Sequence, residues 1–315
     1  MLELLAICFL FDFYLIMNIS TIKPNQIAFK AYVGHTTSKK GNAENSYDTR
    51  NHFTAFMRNY PTLEFTRDYI KDTFPNGTRI AEFGCSQGQK PYSLLIMLDK
   101  YNKDKKYKIT GFDCKEVINL AKAGVYRVDN FDYYEQNIFN GPDKLKETFF
   151  KYFHKVGEIN NYKYQFVAPE SELTKDIIRF KEGNILDIDK ILKPNKGGVV
   201  IFQNALYHVL ENEPPGRKNQ IPNTTALIGK IYDVLPPKGI FVIGSLDADH
   251  LYSEAKEKDT FFKYQNNERI RVYEGSKVHD CLRAAGFKPV FYEKMPNGAH
   301  FDKYNNVYLP SVWQK

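Results

Sequence analysis

Four residues in this chain of 315 have the types and spacing to hold a cofactor: Glu82, Gly84 and Gly88 in Glu82-Phe-Gly-Cys-Ser-Gln-Gly88, and Asp113 further on. Glycines between a strand and a helix let the backbone turn sharply and approach a bound molecule with no Cβ in the way. An acid at the end of the next strand is placed to accept hydrogen bonds from both ribose hydroxyls of an adenosine group. The loop lacks the G-x-G-x-x-G spacing that cradles a pyrophosphate, which argues against a dinucleotide. The cysteines Cys8, Cys85, Cys114 and Cys281 lie far apart and form no C-x-x-C pair, so neither a metal site nor a disulfide framework is expected, and a reducing cytoplasm fits them best.

The elements that must position these residues alternate. Ile80, Ala81 and Phe83 predict a buried strand over 79–83, and Pro91 followed by Leu94, Leu95 and Leu98 predicts a helix over 91–102. A strand over 108–113, a helix over 115–123 and a strand over 178–182 follow. The apolar strand Gly198–Gln203, the helix 224–235, the strand Gly239–Gly244 and the helix 276–285 come next, the last ending at Gly286. Strands at 289–294 and 306–309, separated by Pro296-Asn-Gly298, favour an antiparallel pair. The interval from Gly124 to Lys175 does not alternate, and its aromatics, with a strand at Tyr164–Val167, predict a small insertion at about 127–175. Upstream, 1–51 reads as a loose lead-in and 52–76 as a helical cap that Pro61 should break. The remainder, 77–315, is one α/β domain.

Composition bounds the partners. The net charge is +7, which favours an acidic partner, but the lysines are scattered rather than gathered into a basic stripe, so no nucleic acid is expected. Residues 1–17 are apolar yet interrupted by Glu3 and Asp12, lack a basic start and a cleavage site, and are short for a membrane span. They read as neither signal peptide nor membrane anchor.

The Glu-x-Gly-x-x-x-Gly loop resembles the first motif of class I S-adenosylmethionine (SAM) methyltransferases. The chain resembles more specifically the CheR family, which esterifies glutamate side chains on chemotaxis receptors. The resemblance covers roughly 52–250 and rests on six pieces in the family's order. These are Thr54-Ala-Phe-Met-Arg58, Gly84–Ser93, Asp113 with Ala121–Tyr126, Lys151-Tyr-Phe153, Gly183-Asn-Ile-Leu186 and Asn204-Ala-Leu-Tyr-His208. It implies a seven-stranded Rossmann-like sheet with an antiparallel last strand, SAM as cofactor and S-adenosylhomocysteine as product. It also implies residue roles: Thr54 and Arg58 at the pocket mouth, Gly84 and Gly88 under the methionine part, Asp113 on the ribose, and Asn184 and Ile185 around the adenine. Asn204 would contact the methionine end, and His208 would face the methyl group and substrate. The chain departs from the family at Gln89 and Lys90, where two acids are usual, at His208 in place of a tyrosine, and at Gln203 in place of an arginine. Glu82 is then the acid left to face the cofactor's ammonium.

Methyl transfer from a sulfonium is an in-line displacement governed by alignment. A glutamate acceptor, with a pKa near ~4.3, is already ionised at neutral pH and needs no general base. Arg58 would hold one carboxylate oxygen while the other attacks. Taken without the resemblance, Arg58 reads as a helix-surface residue, His208 as a core histidine, the glycines as a tight turn and Asp113 as a helix N-cap. Three functions are compatible with the residues: a methyltransferase acting on a protein carboxylate of an acidic, receptor-like partner, a SAM-binding scaffold without catalysis, and a methyltransferase of the same fold acting on a small molecule.

Overall fold

The computed structural model describes residues 56–129, 145–159, 164–203, 206, 220–244, 260–273, 277–294 and 307–315. Strands β1 (Arg79–Phe83) and β2 (Lys108–Asp113) flank the glycine loop and pair in parallel. β3 (Tyr126–Asp129), β4 (Phe153–Ile159) and β5 (Tyr164–Pro169) form a separate antiparallel sheet in the order β3-β5-β4. β6 (Ile178–Glu182), β7 (Val199–Phe202) and β8 (Ile240–Ile243) return to the main sheet. β9 (Thr260–Gln265), β10 (Glu268–Tyr273), β11 (Lys288–Lys294) and β12 (Val307–Gln314) complete it.

The main sheet has nine strands in the order β6-β2-β1-β7-β8-β12-β10-β9, with β11 on β12. Its parallel half is β6-β2-β1-β7-β8, and β12 runs antiparallel to both β8 and β11. These seven strands are the expected sheet with its antiparallel last strand. The hairpin β9-β10 is an addition that sequence periodicity did not reveal. β9 reads Thr-Phe-Phe-Lys-Tyr-Gln with Phe262 and Tyr264 left exposed, and the buried stripe of β10 is short, Ile270 and Val272 alternating with arginines, so the pair is weakly announced. β12 is also longer than the expected 306–309, because Val312 and Trp313 pair with β8 in the core.

Strand alternation sorts the core into two layers. Ile80, Ile109, Val199, Ile201, Ile240, Val242 and Val312 face the helices α1 (Tyr60–Thr73) and α2 (Gln89–Leu98). Ala81, Phe83, Phe112, Val200, Phe202, Phe241 and Trp313 face α5 (Gln220–Val234) and α6 (Lys277–Ala284). Between them in sequence lie α3 (Lys115–Ala123) and α4 (Leu145–Tyr152). All ten residues of α2 are buried, since it is covered by the sheet on one side and by α1 and α4 on others. It starts at Gln89, two residues before the expected Pro91, and a 3-10 turn at Asp99–Tyr101 finishes it. Pro61 lies in the first turn of α1 rather than breaking a helix, consistent with its missing N–H being no loss there.

Candidate functional site

The site is assembled at the carboxyl ends of β1, β2, β6 and β7. Period two places Glu82 on the same side of β1 as Ile80, toward α2, while its neighbours Ala81 and Phe83 enter the opposite layer. Glu82 pairs in register with Gly111 of β2 and Ile201 of β7, so the carboxylate stands in the middle of the sheet and is 1% exposed. Neither of its oxygens has a hydrogen-bond partner among the described residues. The neighbouring cation is Lys90, on the first turn of α2, with Nζ 3.7 Å from Oε1. Burial pushes the Glu82 carboxyl up to about 7, against the charge of Lys90 and with that of Asp113.

The loop above it is pinned to β2. Cys85 N donates to Phe112 O at 3.2 Å, Ser86 N donates to Asp113 Oδ2 at 2.8 Å, and Gly88 N closes the turn on Cys85 O. Asp113 Oδ1 also accepts from Cys114 N at 2.8 Å. Asp113 is therefore not the N-cap of α3; that position is Cys114, with no side-chain cap bond. Its carboxylate holds the glycine loop, and each oxygen keeps a further lone pair for a ligand.

The two glycines differ. Gly84 has φ +64° and is exposed, so backbone is presented at the open side of the loop. Gly88 has φ +98° and is buried; a Cβ there would lie 2.6 Å from Phe180 Cζ and 3.1 Å from the Tyr126 hydroxyl. Its missing side chain is used for packing the start of α2 against β6 and β3. Asn184 Oδ1 accepts from Leu186 N at 3.0 Å and so opens the 3-10 turn Ile185–Asp187 beyond β6, while Ile185 is buried against the layer containing Phe83 and Phe112.

Arg58 lies in the turn preceding α1, between Met57 and Asn59, both in the left-handed region. The turn is held on two sides: Met57 N donates to Ser93 Oγ of α2 at 2.9 Å, and Asn59 Nδ2 donates to both carboxylate oxygens of Glu293 on β11 at 3.1 Å. Phe56 anchors it in an edge-to-face cluster with Tyr126, Phe149 and Phe153. Glu293 is itself buried. Burial raises its pKa, opposed by hydrogen bonds from Asn59 and Thr62 and by the charges of Lys90 and Arg58. The structure thus brings together Arg58, Glu82, Gly84, Gly88, Asp113, Asn184 and Ile185 around one end of the sheet. Thr54, Asn204 and His208 lie outside the described residues.

Three participants were not expected from sequence: the Glu293–Asn59 contact, the inward Lys90, and Gln203. Gln203 follows β7 and is 3% exposed, and neither its amide oxygen nor its nitrogen has a partner among the described residues. Five of the seven such buried atoms belong to Glu82, Gln89 and Gln203, so unsatisfied polarity is concentrated where a ligand would satisfy it. Only the departures at 89, 90 and 203 hinted at this. The thiol of Cys85 is buried and pushed up, which suits a packing residue rather than a nucleophile.

A buried carboxylate with no hydrogen-bond donor among the described residues, a pinned glycine loop and a half-buried acid at the end of β2 fit the groups of S-adenosylmethionine. The family comparison agrees. The family model described as "CheR methyltransferase, SAM binding domain" matches residues 52–266. A chemotaxis protein methyltransferase of Borreliella burgdorferi is 29% identical over 135 residues, 41% of this chain and 41% of that relative's length. Among solved structures, monomeric WbdD is similar at a TM-score of 0.40 and 14% identity, over 83% of this chain and 41% of the other. A SAM-dependent methyltransferase of Methanosarcina mazei is similar at 0.38 and 14% identity, over 78% and 96%.

Proposed function

Because the chain belongs to the CheR methyltransferase family, we propose that it methylates a glutamate carboxylate on an acidic, receptor-type protein partner. S-adenosylmethionine supplies the methyl group, on a sulfonium sulfur. The glycine loop at Gly84 and Gly88 lies under its methionine part and the acid Asp113 holds its ribose, with Asn184 and Ile185 beside the base and Glu82 toward the ammonium. Thr54, Asn204 and His208 keep the roles that the family pattern gives them.

The observation that carries the carboxylate reading is the setting of Arg58. It is a guanidinium on a turn tied to Ser93 and Glu293, whose charge already acts on a buried carboxylate. A planar cation carried on this fixed turn can hold one oxygen of a substrate carboxylate and leave the other free to attack, and alignment is what such a displacement needs. The name of the Borreliella relative supports a chemotaxis-type partner. A cytoplasmic setting accompanies this reading, supported by the free thiols of Cys85, Cys114 and Cys281. No helix among the described residues is long and apolar enough to cross a membrane.

The test is transfer of labelled methyl from SAM to a glutamate-rich, receptor-derived protein. Label released by mild base is expected, as an ester requires, and base-stable label overturns carboxylate methylation. Arg58→Ala should abolish turnover and spare SAM binding; unchanged turnover removes Arg58 from the mechanism. A second reading, a SAM-binding scaffold without catalysis, is favoured by the Lys90–Glu82 contact. It predicts SAM binding at full stoichiometry and no label on any acceptor.

A further inference from the structure

We infer that Lys90 is an internal stand-in for a ligand's ammonium group: it covers Glu82 in the free protein and must be displaced when the amino-acid end of the cofactor docks, so it sets the affinity for that end. The inference rests on the proposed SAM site and concerns only how that site is guarded.

Its basis is an incomplete ion pair. Lys90 and Glu82 side chains are 7% and 2% exposed, and their 3.7 Å separation is an ion-pair distance but too long for a hydrogen bond. Both Glu82 oxygens consequently lack a donor among the described residues. A buried carboxylate is stabilised by a cation only when good hydrogen-bond geometry accompanies the charge. A ligand ammonium, with three N–H donors, can supply that geometry.

A second buried carboxylate, Glu293, also feels the Lys90 charge. The charge of Lys90 acts on Glu293 as well as on Glu82, and Arg58 and Asp113 are the other charges facing the pair, from the turn before α1 and the end of β2. Lys90 therefore lies in the field of two buried acids, of which Glu293 already accepts from Asn59 and Glu82 accepts from no described donor. An incoming ammonium would take the vacant acceptors of Glu82 and leave Lys90 to Glu293.

Calorimetric titration at pH 8 and again at pH 9 tests this with two probes, the higher pH offsetting the rise in the Glu82 pKa when the Lys90 charge is removed. S-adenosylhomocysteine carries the amino-acid end, and 5′-methylthioadenosine does not. Lys90→Met is expected to bind S-adenosylhomocysteine about tenfold more tightly than wild type and 5′-methylthioadenosine with unchanged affinity. Lys90→Gln is neutral but polar; it should shift the same way, and it serves if the Met variant does not fold. Equal shifts for the two probes, no shift, or weaker S-adenosylhomocysteine binding in a folded variant overturn the inference and leave the SAM site standing. A wild-type protein that binds neither probe overturns the SAM site itself.

Discussion

Lys90 Nζ stands 3.7 Å from Glu82 Oε1, with both side chains nearly sealed from solvent, at the position where the strand β1 hands the chain to the glycine loop. The lysine charge at position 90 is thus held inside the protein rather than at its surface. Removing Lys90 takes from the buried Glu82 its neighbouring cation, and removing Glu82 leaves Lys90 with the charge of Glu293; breaking a buried pair costs up to about 3–5 kcal/mol. Glu82→Gln and Lys90→Met should each lower urea stability by roughly 2–4 kcal/mol at pH 8, and the double variant by clearly less than their sum. Additive losses would show that the two residues are not coupled.

Stability should fall as pH rises from about 4.5 to about 7. Burial lifts Glu82 from the ordinary glutamate value of 4.5 to about 7. In that window the folded chain keeps a proton that the unfolded chain has released, so the native state binds more protons and loses stability with increasing pH. The loss levels off above about 7. One proton corresponds to about 1.4 kcal/mol per pH unit at most. Glu293, also raised by burial, acts in the same direction. Denaturant titrations from pH 4.5 to 8 measure the slope, and the Glu82→Gln, Lys90→Met double variant should flatten it.

Asp113→Ala should weaken SAM binding by roughly 10–100-fold, with a smaller effect on global stability. The carboxylate accepts from Ser86 N and Cys114 N, so its loss frees the loop in addition to removing the proposed ribose contact. Hydrogen bonds to charged groups are worth about 1.5–3 kcal/mol each. Asp113→Asn has one acceptor oxygen in place of two and should fall between Ala and wild type in a calorimetric titration.

Alanine at the two loop glycines should separate fold from binding. At Gly88 the backbone is left-handed and the added methyl meets Phe180 at 2.6 Å, so a loss of roughly 2–4 kcal/mol in stability is expected. At Gly84 the residue is exposed with φ +64°, and a loss of about 1–2 kcal/mol should be accompanied by weaker SAM binding. Thermal melts and titrations on both variants check the contrast.

Much of the fold was legible because its signals are local. The apolar runs Ile80–Phe83 and Val199–Phe202, the helical spacing of Leu94, Leu95 and Leu98, and the glycine at 286, which has φ +99°, each specify their own element. The hairpin β9-β10 was not read from the sequence, because the aromatics of β9 are exposed, the buried stripe of β10 is only Ile270 and Val272, and its place is set by pairing with the first residues of β12. The expected helix break at Pro61 turned out to be a helix start, since a proline fits both and only the turn at Met57–Asn59 decides between them.

For the site, the sequence by itself determined the glycine loop, the acid at the end of β2 and the family, since these depend on residues close together along the chain in a fixed order. It could not determine what Lys90 does, or that Glu293 holds the Arg58 turn, because these contacts join residues far apart in sequence. Asn59 and Glu293 meet only because α1 packs on β11, and Lys90 meets Glu82 only because α2 lies sealed against the sheet. A lysine on an exposed helix start would extend into water. Here the helix is buried on every side, so its charge is turned to the carboxylate beneath it, and that was decided by packing alone.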